Sequence, residues 1–133
     1  MTKWPMAKQD WHAQETYKSL MGYGHTMLRF VFVANGGAIV AILTFLGDLM
    51  ARGSEVPSMR LPVAIFVVGL VLGGVGDFLA YMTQLSLFGE HLSDVDATGW
   101  KSHQPWLRST IFVILLGVAA FAAGALIAVS RLK

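Results

Sequence analysis

Long runs without charge constrain this chain more than any other feature of its sequence. Residues 30–47 and 111–129 carry no charged side chain, and residues 61–82 carry only Asp77. Each run has roughly 18–22 residues, the length that a helix needs to cross about 30 Å of hydrocarbon. Because a bilayer offers no water to unpaired backbone groups, such runs predict helices.

The composition agrees with a membrane protein and argues against a soluble helical bundle. Hydrophobic residues make up 55% of the 133 residues and charged residues 14%, whereas about a quarter of the residues in soluble domains are charged. A soluble bundle would also show polar positions every third or fourth residue, and residues 111–129 show none. We therefore predict an all-α integral membrane protein with three transmembrane helices and an N-terminal interfacial amphipathic helix.

Prolines and glycines divide the chain into elements of a single membrane domain, residues 1–133. Pro5 suits the first turn of a helix, and Gly53, Pro57 and Pro62 mark a loop after the first span. The predicted elements are an interfacial helix at 5–24 and spans at 27–50, 62–88 and 106–130.

The tryptophans fall on one side of such a three-span chain: Trp4, Trp11, Trp100 and Trp106. Tryptophan favours the membrane–water interface because its ring is apolar and its N–H is polar. We expect these four residues to anchor that interface, with chance clustering as the alternative. Six Lys and Arg residues on this side, against four on the other, favour a cytoplasmic N-terminus.

The first span opens with asparagine and two glycines. Membrane helices associate through close packing and hydrogen bonds, so their interfaces are rich in small residues. We therefore predict a packing face formed by Asn35, Gly36, Gly37 and Ala41. The alternative with a more specific function is a break in the helix that lines a binding site. Asparagine is costly against lipid, so Asn35 should face protein or water.

Small and polar residues form a stripe along one face of the second span: Gly69, Gly73, Asp77, Ala80 and Gln84, with Tyr81 beside them. A lone carboxylate inside a span is a functional hypothesis by default. Asp77 could line a conduction path, bind a cation or exchange a proton. Alternatively, it only fixes packing through a hydrogen bond to Asn35, Thr44 or a neighbouring subunit, or it lies near the headgroups.

The third span repeats small residues at Gly117, Ala120 and Gly124, which predicts tight packing against another helix. Three such helices are too few to enclose both a site and a packed core. We therefore expect a homo-oligomer, for which closed cyclic symmetry is the common solution. Asp77 stripes that converge on its axis would form a cation-favouring constriction.

Several kinds of chemistry are not expected from this sequence. It has no cysteine, its four histidines lie outside the centres of the apolar runs, and its net charge is only +2. Three spans in a short chain are similar to the membrane anchors of succinate dehydrogenase, but a haem between helices needs histidine at depth. Solvated loop charges explain His91, Asp94, Asp96 and His103 better than a surface metal site does. We expect no enzyme activity, cofactor, metal or nucleic-acid partner.

Two short sequences resemble a recurring type of small bacterial membrane protein. ANGGA, Ala34–Ala38, opens the first span, and AYMTQ, Ala80–Gln84, closes the second. The resemblance implies a bacterial origin and a layout of three spans, and hence a multi-pass protein of the bacterial inner (cytoplasmic) membrane. It implies no activity.

Three functions follow as hypotheses for a chain embedded in the lipid bilayer. The first is a homo-oligomeric pore or ion-permeating protein, holin-like or a defence effector, motivated by the small size and the Asp77 stripe. The second is a non-catalytic accessory or assembly subunit of a larger membrane complex. The third is a small transporter coupled to protons or cations through Asp77.

Overall fold

The computed structural model describes residues 6–93 and 103–132, and every regular element in these ranges is an α-helix. Helix α1 is Met6–Ala51, α2 is Arg60–Ser93 and α3 is His103–Ser130. Each of the three is long and apolar enough to cross a membrane. The all-α fold with three candidate membrane helices is therefore confirmed.

Helix α1 differs from the prediction, which placed a separate interfacial helix at 5–24. Residues 6–51 form one uninterrupted helix of 46 residues, about 69 Å long at 1.5 Å per residue. No proline lies inside it, and Gly22 and Gly24 lower helix propensity without removing a backbone donor. An interfacial helix distinct from the first span is thus not confirmed.

The connection between α1 and α2 is short because α1 ends in a tight glycine cap. Gly53 has a positive φ of 66°, a conformation that glycine adopts without steric cost. Its N–H donates to Met50 O at 3.1 Å, and the Ser54 N–H donates to Leu49 O at 3.0 Å. This pair of bonds is a Schellman motif, which ends α1 and turns the chain back toward α2.

Glycines on α2 receive the bulky side chains of α1. A Cβ atom at Gly76 would lie 2.6 Å from Leu28, and one at Gly73 would lie 3.0 Å from the Phe32 ring. A Cβ at either position would force Leu28 or Phe32 to shift, so glycine there lets the two helices approach closely. The two helices run antiparallel with these residues at matching heights.

Helix α3 offers the same kind of notch to both other helices. Val31 of α1 fills the space above Gly117, and the Phe66 ring of α2 fills the space above Gly124. Phe66 is 2% exposed and lies 5.9 Å from Phe121 between ring centroids. The core is therefore a thin seam of side chains set into glycines rather than a broad apolar interior.

This packing places the charged residues that flank the apolar runs at two levels along the bundle axis, which we call heights. Leu28 meets Gly76, so Arg29 and Asp77 lie at nearly the same height. Phe66 meets Gly124, so Arg60 and Arg131 coincide at the other end. Seventeen residues of α2 separate Asp77 from Arg60, which is about 26 Å of helix. Between these two heights the described helices carry no charged side chain.

We predict that Gly69→Ala destabilises the protein by about 1–3 kcal/mol, because the added methyl group would overlap the side-chain amide of Asn35. Unfolding in maltoside micelles, followed by near-UV circular dichroism during titration with sodium dodecyl sulfate, measures the loss. Gly37→Ala is the matched control, since a Cβ there meets nothing within 4 Å. Equal stability of the two variants would contradict the close approach at Gly69.

Candidate functional site

Asn35 lies at the point where all three helices meet. Its side chain is fully buried, with 0% exposure. The Nδ2 group donates to Val31 O of its own helix at 2.9 Å and to Gly117 O of α3 at 3.3 Å. The ANGGA sequence therefore continues as regular helix, and its asparagine faces protein rather than lipid.

The carbonyl end of Asn35 faces α2. Asn35 Oδ1 is buried and has no N–H or O–H partner, but the Cβ direction of Gly69 points directly at it. Glycine carries a hydrogen in that direction, so the closest contact is a weak Cα–H···O interaction. One amide side chain thus joins α1 to α3 by a hydrogen bond and to α2 by close contact.

The predicted stripe on α2 divides into two parts with different surroundings. Gly69 and Gly73 are buried against α1. Asp77 and Tyr81 are exposed, with Tyr81 at 60%, whereas Ala80 and Gln84 are partly exposed. The deep half of the stripe is a packing seam, and only the half from Asp77 onward is open.

The open half lines a cavity of about 330 Å³ between the three helices. Its lining is mostly apolar and includes buried Leu28 together with Ile111 and Ile114. Its polar side chains are His25 of α1, Thr110 of α3, and four from α2: Asp77, Tyr81, Thr83 and Gln84. The cavity therefore has an apolar interior and a polar edge.

This space stays open because its neighbouring side chains are small or bend back to bond with their own helix. Gly24 and Ala80 project little into it. Thr83 donates to Leu79 O and Thr110 donates to Trp106 O, both at 2.9 Å, so each hydroxyl is bound to its own helix. Bulkier residues at these positions would fill the cavity.

Gln84 connects α2 to the N-terminal half of α1. Tyr17 donates from its hydroxyl to Gln84 Oε1 at 3.4 Å, and Gln84 Nε2 contacts Met21 Sδ at 3.1 Å. These contacts hold α1 beside α2 on the side of Asp77 that faces away from the Asn35 contact. The predicted stripe included Gln84, but its partners on α1 were missed because they belong to the supposed interfacial helix.

Asp77 makes no side-chain hydrogen bond or ion pair with another residue in the described part of the chain, and the same is true of His25. The hypothesis that Asp77 fixes packing through Asn35 or Thr44 is not supported, since Asn35 bonds elsewhere and Thr44 donates to Val40 O. Sequence reasoning also missed His25, which the antiparallel register brings into the same cavity.

The remaining predicted residues fall into three groups. Gly117 and Gly124 are buried in the seam, and Ala120 is partly exposed. Gly36 is partly exposed near Leu70, while Gly37 and Ala41 are exposed. Trp11 and Trp106 lie on the side of the bundle that carries Asp77; Trp4 and Trp100 lie outside the described residues.

No metal site emerges among the residues that the structure describes, where no three His, Asp or Glu side chains cluster. Asp94 and Asp96 lie outside those residues. Comparisons with protein families, with curated proteins and with solved structures give no match for this chain.

We predict that Asp77→Asn leaves the stability within about 0.5 kcal/mol of the wild type, because Asp77 has no hydrogen-bond or ion-pair partner among the described residues. Asn35→Ala should cost about 1–2 kcal/mol, since it removes the bond to Gly117. Dodecyl sulfate unfolding curves of both variants compare the two losses. A larger loss for Asp77→Asn than for Asn35→Ala would show that the carboxylate is structural.

Proposed function

We propose that the protein is a multi-pass membrane protein whose hydrocarbon zone lies between the height of Asp77 and that of Arg60. The distance of about 26 Å between them is close to the hydrocarbon thickness of a bilayer, about 30 Å. Charged residues from all three helices stay out of this zone. Asp77 then lies at the headgroups, and α1 and α2 continue beyond them into water.

Within that membrane we propose a non-catalytic role in assembly, as an accessory subunit that docks other membrane chains through α1. The observation that supports it most is the exposed thin face formed by Gly37, Ala41 and Thr44. A Cβ at Gly37 would meet nothing within 4 Å, whereas Gly69, Gly76, Gly117 and Gly124 are filled from within the chain. Small residues that serve no internal contact allow another helix to approach closely.

We predict that Gly37→Leu separates the protein from its assembly without unfolding it, because Gly37 is exposed and a Cβ there meets nothing within 4 Å in the single chain. Native mass spectrometry of material extracted mildly from its own membrane counts subunits and co-purified chains. Gly47→Leu is the matched control: its position is equally open and lies about 80° around α1 from Gly37. Wild-type protein that is monomeric and alone, or an assembly unchanged by Gly37→Leu, would refute the proposal.

A homo-oligomeric pore is the second candidate, favoured by the exposure of Asp77 and Tyr81 on α2. In a ring of copies these side chains would surround a shared, cation-attracting mouth. The deep half of the stripe is already occupied by Asn35, Val31 and Phe32 of α1. The deeper wall of such a pore would therefore have to come from another face of the chain.

Ion flux into liposomes separates the two candidates. A pore predicts cation leakage through the wild type that falls at least tenfold in Asp77→Ala, because the charged mouth is lost. An assembly subunit predicts no leakage above that of empty liposomes for either protein. Leakage that is the same for wild type and Asp77→Ala would exclude an Asp77 mouth.

A further inference from the structure

The cavity at the end of the three-helix seam has the dimensions of a small-molecule site. Its volume of about 330 Å³ falls at the lower end of the range for ligand pockets, about 300–1,000 Å³. Leu28, 4% exposed, packs over Gly76 together with Val113 and Ile114 and closes the inner end. A guest would therefore enter from the side of Asp77 and stop at this apolar floor.

The polar groups at the edge of the cavity suit a cation. Asp77 supplies a carboxylate without an ion-pair partner in the described residues, and no Lys or Arg lines the cavity. Tyr81 adds a hydroxyl and an aromatic ring, which attracts ammonium groups through its face. His25 adds a ring nitrogen that accepts a hydrogen bond when the ring is neutral. A phosphate or carboxylate would meet Asp77 without a counter-charge.

We propose that this cavity binds the ammonium group of a small amphiphile, with Asp77 holding the charge and the apolar interior holding a short hydrocarbon portion. The ammonium could belong to a lipid headgroup or to a free amine, since both present the same chemistry. The proposal rests on the membrane placement given above, which sets Asp77 at headgroup height. It does not depend on assembly through Gly37.

The glycines of α1 provide a steric test that does not disturb the fold. Gly24 lines the cavity, and a Cβ there would meet nothing within 4 Å, so Gly24→Leu introduces a side chain into the cavity from a position with free space at its Cβ. Gly22 is equally open but does not line the cavity, which makes Gly22→Leu the matched control. Asp77→Asn removes the charge, and Glu55→Gln removes an exposed carboxylate from the distant loop.

The experiment is a native mass spectrometry titration of the whole protein in maltoside micelles with decylammonium, and with decyl sulfate as the anionic counterpart. We expect saturable binding of one decylammonium per chain and no saturable binding of decyl sulfate. Asp77→Asn and Gly24→Leu should each weaken decylammonium binding at least tenfold, while Gly22→Leu and Glu55→Gln leave it unchanged. Circular dichroism verifies that each variant keeps its helices.

Competition identifies the natural source of the ammonium group. Displacement of decylammonium by phosphatidylethanolamine, but not by phosphatidylglycerol, would assign the site to a lipid headgroup, and resistance to both would assign it to a free amine. No saturable binding, equal binding of decyl sulfate, or undiminished binding by Asp77→Asn or Gly24→Leu would overturn the proposal. The same spectra also give the number of chains in each complex. Loss of decylammonium binding can therefore be distinguished from loss of assembly.

Discussion

The buried amide of Asn35 is the contact on which the arrangement of the three helices depends. Apolar contacts between membrane helices fix the position of one helix along another only weakly. Lipid is as apolar as the side chains, so sliding one helix along its neighbour exposes nothing to water. A hydrogen bond has one correct position, and Asn35 forms it with Gly117 O while its other end lies against Gly69, where a Cβ atom would overlap the amide. Sliding α1 by one turn would break the bond to Gly117 O and leave one N–H of the amide unpaired in an apolar surrounding, which is costly, although the bond to Val31 O within α1 would remain.

The height set by Asn35 determines what lies at the ends of the bundle. Leu28 and Gly76 meet because they lie seven residues from Asn35 and Gly69 in opposite chain directions. That same register places His25 beside the open half of α2 and brings Arg29 to the height of Asp77. The zone without charge and the cavity at its edge are therefore two consequences of one alignment, although they involve different residues.

The sequence pattern predicted the helices well. It predicted a side chain's contacts only where the chemistry of that side chain allows a single environment, as it does for a buried amide. Charge-free runs specify three long helices. Because an amide exposed to lipid is costly, Asn35 was correctly predicted to face protein, and it is buried. The interfacial helix was not confirmed as a separate element, because composition changes near residue 24 while the backbone there has no proline to end a helix. His25 was missed because spacing along one helix carries no information about which residue of a neighbouring helix lies opposite.

The stripe on α2 illustrates why a shared face does not imply a shared function. Gly69, Gly73 and Asp77 follow one face in sequence, yet α1 covers the glycines and leaves the carboxylate uncovered. A continuous lumen along this face would require α1 to leave its seam and the Asn35 amide to lose its bond to Gly117. The intact bundle instead offers a short cavity that ends at Leu28. Its closed apolar end and charged edge match a molecule with one charged end better than they match a path through the membrane.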